Sequence, residues 1–350
     1  MFRELHRSTD AAGAFVMGPA LTAMFCAVTV SFGLCVPAHA KASYTVFDAP
    51  GAINTIPTGI SEGEIAGDFE NPGAVYHGFV RAVDGTFTTF DPAGSISTFV
   101  SSISRGAVTG QYQDSNLVFH GYLRTADGTV TKFDPPGSQY TEPTSINAKG
   151  AIAGSYISNH ERVGFVRAAD GTFTTFVPEG SAGVFPFTLA SNGEITGYFL
   201  TGDGRSSQAF VRAADGTITE FTTAGAYATL AFGINNKGEV AGASYDINGV
   251  FTDYVRAPDG TITTFIPEGN ASRTYALSIN TKGASVGYYT ESNGAYQGFM
   301  RKPSGTIKTI RVPHAISTIP FRIDSGQDSG AIIGWYQDSG GHSHGFLRTP

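Results

Sequence analysis

Along most of this chain apolar and polar residues alternate in short runs, and glycine, asparagine and aspartate punctuate the runs. That period of two is the pattern of half-buried β-strands separated by tight turns. It is clearest in "AFGINNKGEVAGASYDINGVFTDYVRAPDGTITTF", residues 231–265. There a first strand ends at Ile234-Asn235, a second is "EVAGASY", a third "DYVRA" and a fourth "TITTF".

The unit recurs. Gly78-Phe79-Val80-Arg81 has equivalents at 121–124, 164–167, 209–212, 253–256, 298–301 and 345–348, seven copies spaced 43 to 47 residues apart. A fixed period of this size marks stacked supersecondary modules. Four strands per period is the layout of a β-propeller, because the coils of a β-helix are shorter. The last copy stops at "GFLRTP" without a fourth strand, while "YTVFDAPGA", from Tyr44, matches the fourth-strand pattern "TVTKFDPPGS" of module 2. The expected fold is therefore all-β, a seven-bladed β-propeller of four-stranded blades, its ring closed by the N-terminal strand.

Between third and fourth strands lies Asp-Gly, at 84–85, 127–128, 170–171, 215–216 and 259–260, with Ser304-Gly305 in the sixth copy. Read as a two-residue hairpin, this turn pairs Ala169 with Thr172, Arg167 with Thr174 and Phe165 with Phe176. The two phenylalanines then meet across the strands. With the first strand on the axis, the turns near Asn147 and at Asp170-Gly171 share one face. The longer loops, such as "FDPPGSQYTEPT" and "YQDSNLVFH", share the other, where function on a rigid scaffold is expected.

Composition narrows the class. Only 15% of residues are charged and 45 are glycine, as in a turn-rich β protein. A net charge of -7 without a cationic run excludes a nucleic-acid partner, which needs clustered Lys and Arg. Residues 11–36 carry no charge, follow Arg3 and Arg7, and lead to Ala38-His39-Ala40. They read as a secretory signal peptide over 1–40, leaving the propeller at 41–350, a secreted monomer with no membrane span after cleavage. The competing reading is an uncleaved anchor, since the run is long enough to cross a bilayer. Cys26 and Cys35 both lie in the leader, so the mature chain has no thiol, disulfide or cysteine metal site.

His77-Gly78-Phe79, His120-Gly121-Tyr122, Gln208-Ala209-Phe210 and His344-Gly345-Phe346, with "INAKGAIAGSY" and "FDPPGS", resemble the bacterial extracellular HAF repeats, named for a His-Ala-Phe core. The resemblance spans essentially the whole mature chain, with Gly usually in place of Ala. It implies a secreted repeat protein of no established activity, and it carries over no catalytic residue. NHL-type propeller repeats are similar in length and in the layout "GINNKGEVAG".

No nucleophile elbow, Walker loop or His-Glu-x-x-His motif is present, and no cofactor or metal is expected. "SGQDSGAIIGW", 325–335, is read as an enlarged first turn of module 7. The seven third-strand arginines, from Arg81 to Arg348, are expected to pack between blades rather than form a cationic ring. His342 and His344 form a His-x-His pair, but His344 shares its column with His77 and His120. Asp114, Asp246, Glu291 and Asp338 end the second strands, one per module, as solvated loop carboxylates would. One column departs from its small or polar rule: the residue after the second-strand glycine becomes Tyr198, Tyr288 and Trp335. The candidate ligand-binding set is Tyr288, Glu291, Trp335, Asp338 and His342, aromatic faces beside carboxylates that suit a carbohydrate or a protein partner. The expected function is non-catalytic binding on the longer-loop face. The alternatives are a propeller lyase or glycosidase acting at the central mouth, and a structural envelope component.

Export predicts that the secreted protein begins at Lys41 or within a few residues of it. Intact-mass measurement of protein from the medium checks this, and recovery only in membranes with the leader intact would contradict it.

Overall fold

The structure is a computed structural model that describes residues 42–269, 271–325 and 330–350. The leader, with Cys26 and Cys35, and the centre of the enlarged turn at 325–335 lie outside the described residues. Among the described residues there are 28 strands and no helix. Numbering the sequence modules 1 to 7 from their first strands, module 3 is typical: Tyr140–Ile146, Ile152–Ser158, Glu161–Arg167 and Phe173–Phe176 pair in that order, each antiparallel to the last. A single parallel bridge, Ser207 to Ala228, joins modules 4 and 5. In module 7 the fourth position is taken by Ser43–Phe47, which pairs with Ser343–Thr349 so that Phe47 lies opposite Gly345.

The hairpin between third and fourth strands differs from the expected one. Gly164 pairs with Phe176, Phe165 with Thr175 and Arg167 with Phe173, a register one residue away from the two-residue turn. The Ala168 amide donates to Thr172 O at 2.8 Å, and the Gly171 amide to Ala168 O at 2.9 Å, which closes a three-residue loop. Gly171 has φ 93° whereas Asp170 is not in the left-handed region. This is a type I turn followed by a glycine bulge, the next commonest hairpin connection. Asp170 serves it through its side chain, which accepts the Thr172 amide at 2.9 Å.

The one-residue shift changes which aromatics meet, because side chains alternate between faces. Phe176 lies over Gly164, where a Cβ would come within 2.6 Å of its ring. Gly78 with Phe90, Gly121 with Phe133 and Gly345 with Phe47 repeat the arrangement. The glycine of the repeat core is thus required by a ring laid across it.

That ring also reaches the next module. Phe133, the last strand residue of module 2, packs on Phe165 and Phe173 of module 3 at 6.4 and 6.1 Å. The Arg167 guanidinium of module 3 sits over the same ring at 5.0 Å. Arg81 over Phe47, Arg124 over Phe90, Arg212 over Phe176, Arg256 over Phe221 and Arg301 over Phe265 make the equivalent contact, at 4.8 to 5.2 Å. Module 6 ends in Ile310 instead, which joins Phe346 in an apolar cluster with module 7. Burial holds Arg167, Arg212 and Arg301 below the usual guanidinium range, consistent with stems and heads enclosed between modules. These arginines are stacked cations, not a ring of free ones.

Polar contacts between modules run along the first strands. Ser145 Oγ accepts the Leu189 amide at 3.1 Å, and Ser278 Oγ accepts that of Ile323 at 3.3 Å. Asp68 accepts the Val100 amide at 3.1 Å, and its burial pushes the carboxyl up to about 7. The first strands of all seven modules line one cavity of about 280 Å³.

Phe176→Ala removes the ring shared by Gly164, Phe210 and Arg212 and is expected to cost about 3 kcal/mol. Gly164→Ala is expected to cost about 1–3 kcal/mol by overpacking, and Thr174→Ala, on an exposed strand position, under about 0.5 kcal/mol. Chemical denaturation of the three variants measures the order; equal effects at 164 and 174 would refute the register.

Candidate functional site

The turns between second and third strands, together with the connections from each fourth strand to the next first strand, form one face. Its turns are held by carboxylates. Asp114 Oδ1 accepts the amides of Asn116 and Val118, both at 2.9 Å. Asp246 does the same for Asn248 and Val250. Asp338 Oδ1 accepts from Gly340 at 2.8 Å and His342 at 2.9 Å. Those backbone amides lower the carboxyls of Asp114, Asp246 and Asp338 from their ordinary value. They hold the loop shape rather than standing free in solvent as expected.

Three histidines tie these turns to the inter-module connections. His344 Nδ1 lies 3.0 Å from Asp48 and its Nε2 3.3 Å from Asp338. His120 bridges Asp134 at 2.7 Å and Asp114 at 3.6 Å, and His77 bridges Asp91 at 2.8 Å and Asn71 at 3.0 Å. In each case an aromatic from the second strand covers the imidazole: Phe69 on His77, Tyr112 on His120 and Tyr336 on His344, at 5.1 to 5.3 Å. The histidine and the carboxylate after the fourth strand occur together. Modules 3 to 6 carry Val163 with Val177, Gln208 with Thr222, Thr252 with Ile266 and Gln297 with Arg311. The His-Gly-Phe and Phe-Asp-Pro signatures are therefore two halves of one contact.

On the same face a chain of aromatics, part-exposed except for the buried Phe232, passes from module to module. Tyr76 meets Phe99 at 5.0 Å, Phe99 meets Phe119 at 6.0 Å, and Phe119 meets Tyr140 at 5.3 Å. The Arg162 guanidinium bridges Tyr140 and Phe185 at 5.4 and 5.0 Å, and it is neutralised by Glu142 at 2.5 Å. Phe185 stacks on Tyr198 at 4.9 Å, and Phe187 carries the chain to Phe232 at 5.1 Å. Phe232 meets Tyr275, which meets Tyr288 at 5.4 Å; Tyr288 meets Tyr296, 39% exposed, at 5.3 Å. Burial first, then the neighbouring Tyr275 and Tyr296, pushes the Tyr288 phenol up to about 12. It stays a neutral hydroxyl at any physiological pH.

The five expected site residues divide. Tyr288 belongs to this aromatic chain, at its module 6 end. Asp338 and His342 share one turn, with the imidazole 3.9 Å from the carboxylate, but Asp338 is already engaged by two amides and by His344. Glu291 caps the equivalent turn of module 6, its amide donating to Ala295 O at 2.8 Å. Trp335 is half-buried, opposite Ile319 and Gly345, and no ring contact joins it to Tyr288 among the described residues. In the same column Asp68 reaches the backbone of the following module, so the sheet directs Tyr288 toward module 7 and Trp335 toward module 1. Missed from the sequence were Phe99, Phe185 and Tyr275 in one first-strand column, and Tyr76, Phe119 and Tyr296 at third-strand starts. Their recurrence in fixed columns was the available signal. Among the described residues no group of three His, Cys, Asp or Glu is arranged to hold a metal ion.

No protein-family model and no curated protein matches the chain. Solved structures do. A streptogramin B lyase is 18% identical, with 88% of this chain and 98% of that one aligned at a TM-score of 0.56. The β-propeller domain of the trilobed protease from Pyrococcus furiosus, described as having an open velcro topology, is 10% identical over 86% and 94% at 0.61. A prolyl endopeptidase is 13% identical over 86% and 51% at 0.60. At these identities the likeness is one of fold, and the fold is a β-propeller.

The His344 contact has a pH signature. Burial works against its imidazolium, but the hydrogen bonds and charges of Asp48 and Asp338 outweigh it and raise the imidazole above 6.5. Its contribution is fully present below that ordinary value and lost as pH rises through the raised one; Asp338, being lowered, contributes only above about 3.8. His344→Gln, the residue of modules 4 and 6 at this column, is expected to cost about 1 kcal/mol or less near pH 6 and nothing near pH 9. Urea denaturation at the two pH values measures it, and a cost independent of pH would contradict the contact.

Proposed function

We propose that this chain is a secreted, non-catalytic, seven-bladed propeller that binds an extended carbohydrate or polypeptide on the longer-loop face. In this reading the strand Ser43–Phe47 completes the last blade and closes the ring. The observation that carries the binding assignment is the half-exposed aromatic chain from Tyr76 to Tyr296. Aromatic side chains left part-exposed in a continuous row keep apolar faces in water, a cost that a ligand covering them removes. Ring faces suit the C–H faces of sugars or the side chains of an extended peptide, and the tyrosine hydroxyls supply directional donors. Carboxylate-held turns and imidazole ties make that face rigid before a ligand arrives, so little ordering entropy opposes binding.

The resemblance to HAF repeats supports an extracellular setting but assigns no ligand. The charged pair Glu142 and Arg162 lies inside the aromatic chain already neutralised, which favours recognition of a neutral or weakly charged partner. Within the earlier candidate set, Tyr288 is the residue expected to touch the ligand, Trp335 flanks it, and Glu291, Asp338 and His342 shape the loops around it.

A glycan array and a peptide array probed with the mature protein test this directly. For the ligand found, Tyr275→Ala and Tyr288→Ala are each expected to weaken binding by about tenfold, the loss of one stacking contact of about 1–1.5 kcal/mol. Trp335 is the only tryptophan, so its emission reports on the neighbouring gap and is expected to shift on binding. A ligand whose affinity is untouched by both tyrosine variants would move the site to another surface.

A further inference from the structure

The cavity at the meeting of the first strands lies toward the opposite face, that of the first-to-second strand turns, and its lining follows a rule with one exception. After the irregular step in each first strand, the residue bordering the cavity is Gly59, Ser102, Ser145, Thr188, Gly233 and Ser278 in modules 1 to 6, and the hydroxyls of Ser145, Thr188 and Ser278 reach the backbone of the following module. In module 7 it is Arg322. In this column of glycine and small hydroxyl residues Arg322 is the one long cation; the cavity's other cation, Arg105, is paired with Glu62.

Arg322 is not explained by packing between modules as the third-strand arginines are. Its guanidinium lies over Phe321 at 5.1 Å, a contact with the flat face that leaves the N–H edge unused. Among the described residues no charged neighbour offsets its burial. Two other charged groups border the cavity on the acidic side. Glu62 is spent on Arg105 at 3.8 Å. Asp324 occupies the column in which Asn147, Asn235 and Asn280 bind the amides of their own turns. It is buried and engaged in contacts of its own. Desolvation without a compensating anion lowers the Arg322 guanidinium to about 10.

Two hydroxyls that border the cavity keep a proton to give. Ser278 Oγ accepts the amide of Ile323, the residue after Arg322, and Ser145 Oγ accepts that of Leu189. A hydroxyl that accepts an amide still has its own proton to give. On the far side Gly59 adds no side chain, and its strand packs against module 7. We propose that this cavity is a binding site for a small oxyanion, a phosphate, sulfate or small carboxylate, held by the guanidinium fork of Arg322 and the hydroxyl of Ser278. Guanidinium and oxyanion match in bidentate geometry. A volume of about 280 Å³ admits such an ion with a few waters. Its chemistry differs from that of the aromatic row.

Calorimetric titration of the mature protein with sodium phosphate, sulfate and acetate, against sodium chloride at matched ionic strength, tests the proposal. Saturable one-to-one binding of at least one oxyanion is expected, together with a melting temperature that rises with its concentration. Arg322→Ser installs the residue that modules 2, 3 and 6 carry at this position, so folding is expected to survive while affinity falls about tenfold or more. Arg322→Lys, keeping the charge without the fork, and Ser278→Ala are each expected to weaken binding by about threefold or more. Absence of saturable binding by all three anions overturns the proposal. So does affinity left unchanged in Arg322→Ser or, if that variant does not fold, in both of the other two.

Discussion

Four of the seven modules, 1, 2, 3 and 7, are built on one ring laid across one glycine. The fourth-strand phenylalanine lies over the third-strand glycine of its own sheet and, from the same position, under the third-strand arginine of the next. The interaction is at once cross-strand and inter-module. It fixes the register of the outer hairpin, sets the spacing between neighbouring sheets, and removes an arginine from solvent without an ion pair. The departures are informative. Where module 6 ends in Ile310, no ring is offered to Arg348, and the isoleucine instead joins Phe346 in an apolar cluster. Where module 5 has Asp253 in place of the glycine, the carboxylate uses the space to accept the Ala276 amide of the next module at 2.9 Å.

Rigid modules leave the two faces free to differ. On one, short turns of regular shape surround the cavity formed by the first strands. On the other, carboxylates and imidazoles hold longer turns around a row of aromatics. The polar ties are concentrated in modules 7, 1 and 2, while the aromatic row runs through modules 1 to 6 and ends before Trp335. The region around Ser43–Phe47 and Ser343–Thr349 is thus held by hydrogen bonds, as suits a sheet built from distant parts of the chain. The remaining face is left apolar enough to be recognised.

The residues singled out for chemistry illustrate how repetition misleads and informs. Asp338 and Glu291 stand out as acids, but they are members of a turn-holding column, and their oxygens and amides are used locally. Tyr288 stands out as an aromatic and does join other aromatics, yet its partners come from columns that a search for acids beside aromatics passes over. Arg322 stands out only after the irregular step in each first strand is aligned, since that step shifts the column by one residue.

By itself the sequence determined the all-β class, the four-strand module, its seven repetitions and the positions of the turns. These follow from local alternation, turn chemistry and a period, all short-range properties written in adjacent residues. It also paired the first strand with the last module, because a missing element and a spare one match by pattern. Only the tertiary structure decided the hairpin register, because Asp-Gly serves a two-residue turn and a three-residue bulged turn equally well. The choice between them rests on Phe176 fitting over Gly164. The histidine ties and the aromatic row were likewise invisible as units. Each joins residues from different strands or modules, and their meeting is set by how the sheets stack rather than by any spacing along the chain.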